Sequence, residues 1–99
     1  MQTFVVLLNW TDQGIREFPD TVERADAFEG LVERAGGRIV SLLWTVGSHD
    51  LVVVAEAPDA ETLTAVLLRL GALGNVRSTT LRAFGRDEMT GIVAKAGKG

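Results

Sequence analysis

Ser48, His49 and Asp50 stand side by side and carry the three side-chain types of a hydrolytic relay, but their spacing rules that chemistry out. The relay holds an imidazole between a hydroxyl and a carboxylate through opposite ring nitrogens, and three consecutive residues cannot align that way. His49 is the sole histidine and there are no cysteines, so a recognisable metal-ligand set, a thiolate nucleophile and a disulfide are all missing. The glycines follow no phosphate-loop pattern, and no cofactor is implied. What remains is binding chemistry: two tryptophans, two asparagines, two aspartates, an arginine and the histidine. Asn9, Trp10 and Asp12 lie in one stretch, Trp44, His49 and Asp50 in a second, and Asn75 and Arg77 in a third. Each also has a plain structural use. His49 suits a solvated turn, Asp50 can bond local amides, the tryptophans can anchor a core or an interface, and Asn9 and Arg77 can satisfy loop carbonyls.

Whether these three stretches meet depends on the elements that carry them. Gln2 to Trp10 reads as a first strand, followed by a polar stretch and a short turn around Ile15 to Phe18. Pro19-Asp20 marks a helix start, and Val22, Ala25, Phe28, Leu31, Val32 and Ala35 recur at helical spacing, with Glu23, Arg24, Glu29, Glu33 and Arg34 on the wet side. Gly36-Gly37 ends that helix. Arg38 to Val46 and Leu51 to Ala57 read as strands joined by the hairpin Gly47-Ser48-His49-Asp50, which makes them antiparallel neighbours. Pro58 stops the third strand. Asp59 caps a helix over Ala60 to Leu73, with Leu63, Val66, Leu67 and Leu70 on its densest face. Val76 to Phe84 alternates and is the most polar strand. Asp87 is a candidate cap for a short helix carrying Met89, Ile92 and Val93, and Lys95 to Gly99 reads as a flexible tail behind a single domain over residues 1–94.

Strand, helix, strand, strand, helix, strand is the split βαβ pattern of an α+β, ferredoxin-like antiparallel sheet with two helices on one face. Such a sheet has its first and third strands in the centre and its second and fourth at the edges. The turns at one end then gather Asn9, Trp10, Thr11, Asp12, Gln13, Trp44, Ser48, His49, Asp50, Asn75 and Arg77. Aromatic walls with a few aimed polar groups suit a small ligand.

The two central strands also carry the clearest statement about assembly. Phe4-Val5-Val6-Leu7-Leu8 and Leu51-Val52-Val53-Val54-Ala55 are apolar without a break, whereas a strand with one wet face alternates. Two helices cover one face only. The other face therefore calls for a second copy, in the sheet-to-sheet manner of a dimeric α/β barrel. A chain of 99 residues buries a thin core, which such pairing would thicken. A 46% hydrophobic content and a positive mean hydropathy agree with an associating chain.

Charge and run lengths exclude other partners. Net charge is −3, and eight arginines are scattered among thirteen acids, with Lys95 and Lys98 the only lysines, so the basic surface of a nucleic-acid binder is missing. No apolar run approaches the roughly 18–20 residues of a membrane helix. Met1-Gln2-Thr3 lacks the basic start of a secretory signal, which points to the cytoplasm.

Val5 to Gly14, Trp44 to Asp50, Glu56-Ala57-Pro58-Asp59, Leu73 to Arg77 and Leu81-Arg82-Ala83-Phe84 together resemble the GYD-domain family, in the same order and over nearly the whole chain. Gly47 and Asp50 fit the signature that names the family, and His49 stands where tyrosine is expected. The resemblance implies a small ferredoxin-like domain akin to dimeric α/β-barrel proteins, without a defined activity. The expected function is an oligomeric small-molecule-binding or regulatory module, partnered by itself and by a small ligand, with neither nucleic acid nor membrane. Two alternatives stand beside it: a cofactor-independent monooxygenase or haem-degrading enzyme of the dimeric barrel type, and an assembly scaffold with no ligand.

Overall fold

The computed structural model describes residues 1–97. Four strands, β1 (Gln2–Trp10), β2 (Arg38–Trp44), β3 (Leu51–Ala57) and β4 (Val76–Ala83), form one antiparallel sheet in the order β2-β3-β1-β4. The two unbroken apolar runs are thus the central pair, and the polar β4 is an edge. This arrangement is compatible with a ferredoxin-like fold.

Burial shows which face is covered. Phe4, Val6 and Leu8 of β1 and Leu51, Val53, Ala55 and Ala57 of β3 point into the core, because side chains on a strand alternate between faces. Across them lie helix α2 (Thr21–Arg34), contributing Phe28 and Val32, and helix α3 (Ala60–Ala72), contributing Leu63, Val66 and Leu67. No polar or charged residue among those described is buried in this core. On the opposite face, Val5 faces Val54 and Leu7 faces Val52 in register, with Leu81 beside Val5 and Leu43 beside Val52. These side chains are only partly covered; Leu43 and Leu81 are 59% and 47% exposed.

Several elements depart from the pattern read in the sequence. The polar stretch after β1 opens a helix, α1 (Asp12–Arg16), which takes in the start of the turn expected around Ile15 to Phe18; the Thr11 hydroxyl accepts from the Gly14 N–H at 3.1 Å and so caps it. Pro19 lies in a 3₁₀ turn over Phe18–Asp20, so α2 begins at Thr21. Val22 falls outside the core, 56% exposed. β2 ends at Trp44 rather than Val46, and its register shifts between Ile39 and Ser41, a bulge of the kind common on edge strands. The last helix, α4, runs over Arg86–Ala96, starts before Asp87, and reaches into the stretch read as a tail; Lys98 and Gly99 lie outside the described residues. Met89, Ile92 and Val93 of α4 are exposed. The Cα radius of gyration, 15.1 Å against roughly 13 Å for a compact chain of this length, reflects a helix standing away from the body.

Candidate functional site

The end of β1 is held by the β2–β3 hairpin through side chains. The Asn9 amide donates to the Ser48 carbonyl at 2.8 Å, and Asn9 Oδ1 lies 2.9 Å from His49 Nδ1. The Trp10 N–H donates to Asp50 Oδ2 at 2.8 Å, while the Asp50 N–H donates to the Leu8 carbonyl at 2.8 Å. Asp50 therefore continues the β1–β3 ladder one step beyond its backbone pairing. The Thr45 hydroxyl donates to the His49 carbonyl at 2.6 Å and closes the hairpin.

A second set of bonds fastens α1 to the start of β4. The Thr11 N–H donates to the Asn75 carbonyl at 3.1 Å, the Thr11 hydroxyl donates to the Gly74 carbonyl, and Gln13 donates to Leu73 O and Asn75 Oδ1. Two glycines permit this contact. A Cβ on Gly14 would collide with the Asn75 carbonyl oxygen, and Gly74 takes a φ of +87°, which L side chains rarely adopt.

Between this junction, the two long helices and the sheet lies a cavity of about 210 Å³. Its walls include Trp10, Phe28, Leu31 and Leu70, and its polar groups are Thr21, Arg24 and Asn75. The Trp10 indole Nε1 is buried and meets no acceptor among the described residues. Leaving such a donor unpaired costs about 1–3 kcal/mol. Arg24 donates to Glu17 O at 2.7 Å and to Gly14 O at 3.2 Å, and no carboxylate among the described residues neutralises it within ion-pair distance. The Trp44 Nε1–H donates to the Thr21 hydroxyl at 3.0 Å, which joins β2 to the first turn of α2.

The residues singled out in the sequence are thus distributed over three settings. Asn9, His49 and Asp50 form the hydrogen-bonded cluster that holds the hairpin. Trp10 and Asn75 line the apolar cavity, and Trp44 reaches it through Thr21. Asp12 and Arg77 are exposed and make no side-chain hydrogen bond among the described residues, with Arg77 paired in register to Asn9. Sequence reasoning passed over Thr21 and Arg24. Their spacing ahead of Ala25, Phe28 and Leu31 was the available signal, since it extends the inward stripe of α2 by a turn. Among the described residues, no group of three or more His, Asp or Glu side chains could hold a metal ion, and no helix is long and apolar enough to cross a membrane.

An antiparallel sheet covered by helices on one face, apolar at the centre of the other, and closed at one end by hydrogen-bonded loops defines a small α/β domain. The GYD-domain model matches residues 4–93, and the chain belongs to the GYD-domain family. It is 37% identical over 85 residues, covering 85% of this chain and 90% of the relative, to a Thermus thermophilus protein named glutamine synthetase and cystathionine beta-lyase binding protein. A crystal structure of a Thermus thermophilus protein superposes with a TM-score of 0.55 at 24% identity, covering 86% of this chain and 95% of that one, a likeness of fold.

Proposed function

We propose that this chain is an oligomeric binding and regulatory module with no chemistry of its own. Two copies pair through their bare sheet faces in the dimeric α/β-barrel manner, and the surfaces left outside dock on another protein or hold a small ligand. The observation that carries the reading is the apolar face around Val5, Leu7, Val52 and Val54, flanked by Leu43 and Leu81. A self-complementary patch of this kind suits a two-fold axis. Burying the apolar surface that these six side chains still expose, greatest at Leu43 and Leu81, favours association at about 25 cal/mol per Å². The relative named for binding two enzymes supports a protein partner of the same kind, a metabolic enzyme.

The chain has no cysteine, so single cysteines placed on this face report directly on pairing. Val5→Cys, Leu7→Cys, Val52→Cys and Val54→Cys are each exposed to mild oxidant, with Glu29→Cys on the outer side of α2 as control. Disulfide-linked pairs should form on the sheet face in native buffer and disappear in denaturant. Linkage no greater than at position 29 would overturn the reading.

A further inference from the structure

The apolar cavity between α2, α3 and the sheet has no role in pairing, since it lies on the covered face. Its volume of about 210 Å³ exceeds the roughly 150 Å³ of an apolar cavity that admits benzene, so it accommodates a ring with a short substituent. Of the polar side chains on its walls, Arg24 and Thr21 offer donors, while Asn75 spends its Oδ1 acceptor on Gln13. Arg24 carries a full positive charge with no described carboxylate against it, and only two of its five N–H groups are bonded to described carbonyls. The Thr21 hydroxyl accepts from Trp44 and keeps its own hydrogen to donate. The Trp10 indole supplies a further donor that lacks an acceptor. Walls of Phe28, Leu31 and Leu70 want an apolar body, and a cluster of donors wants an anionic oxygen pair.

We propose that this cavity binds a small apolar carboxylate, an aromatic or branched aliphatic monocarboxylic acid, with its body against Trp10, Phe28 and Leu31 and its carboxylate on Arg24. The assignment rests on the reading of the chain as a binding module, and it moves the ligand from the Asn9–His49–Asp50 rim to the layer beneath it. Arg24 also ties the Gly14 carbonyl of α1 and the Glu17 carbonyl just after it to α2. A carboxylate on the same guanidinium therefore couples occupancy to the order of that loop, which is a route by which a metabolite regulates docking. The Trp10 Nε1 is buried and faces no acceptor, so the carboxylate is held by Arg24 and the indole contributes its apolar face.

Phenylacetate is the probe, followed by ¹H–¹⁵N correlation spectra in which the two tryptophans give two indole N–H signals. The Trp10 signal should move and saturate. Phenylacetamide, the same body without the charge, should bind about tenfold more weakly or worse, as expected for losing a charge-assisted pair. Arg24→Gln should lose the preference for phenylacetate over phenylacetamide, and Arg24→Lys should restore part of it. Ala25→Leu, which fills the cavity from α2, should abolish the shift with the fold's spectral dispersion intact. A Trp10 signal that does not saturate, equal affinity for acid and amide in the unaltered protein, or full binding in Ala25→Leu would each overturn the assignment. Molar mass measured on the same samples separates the outcomes, because pairing that persists without ligand binding defeats this inference alone.

Discussion

The Trp10 backbone N–H donates to the Asp50 carboxylate at 2.8 Å, across forty positions of sequence. One bond joins the last residue of a central strand to the hairpin before the other central strand, and its tryptophan side chain enters the apolar layer below. The rim and the cavity are therefore one mechanical unit.

Asp50→Ala leaves that part-buried N–H without its acceptor. The unfolding free energy from denaturant titration should fall by about 1.5–3 kcal/mol, the range for hydrogen bonds to charged groups. A change indistinguishable from zero would show that water replaces the carboxylate and that the rim is not held by it.

Gly14→Ala tests the α1–β4 junction. The added methyl meets the Asn75 carbonyl, so α1 must shift, at a cost of about 1–3 kcal/mol typical of overpacking. Amide spectra should show the largest changes at Thr11, Gln13 and Asn75. Unaltered stability would mean that the junction opens freely.

Much of the plan is readable in the sequence, for a specific reason. A central strand apolar on both faces has no alternation to misread, and the polar β4 declares itself an edge; hence the sheet order follows. The same property hides which residues face the helices: Val5 and Val6 look alike in sequence, yet Val6 is fully buried and Val5 is not. Helix α1 is illegible because Thr11-Asp12-Gln13-Gly14 has turn composition, and its anchor, Asn75, is far along the chain. Arg24 looks like a solvated charge until α1 curls back to present its carbonyls.

Asp59 supplies the pH dependence. Hydrogen bonds from the Thr62 hydroxyl and backbone N–H favour its ionised form and lower its pKa in the folded chain. Its contribution is therefore complete above the ordinary carboxylate range and is lost as the pH falls through the lowered native value. Asp59→Asn, which resembles the protonated form, should therefore be less stable than the unaltered chain at neutral pH and converge with it in acid, flattening the acid limb. An acid limb identical in both proteins would assign the loss to other carboxylates.

Helix α4 contributes little to the single-chain fold. A variant ending at Gly85 loses the exposed Arg82–Glu88 pair, 3.5 Å apart, whose worth is at most about 1 kcal/mol. Thermal unfolding of that variant should stay close to the full chain. A large loss would show that Met89, Ile92 and Val93 pack on something the isolated fold does not present.

Val54→Asp places a charge at the centre of the bare sheet face, opposite Val5. In the proposed pair it is buried twice without a partner, so association should fail while circular dichroism and the fold of the single chain persist.

Sedimentation of the unaltered protein across a wide concentration range reads the pairing of the sheet faces. Pairing gives a mass of twice the 10.6 kDa chain, or a larger even multiple, falling to one chain in Val54→Asp. A single 10.6 kDa species that persists undiluted into the millimolar range would contradict it.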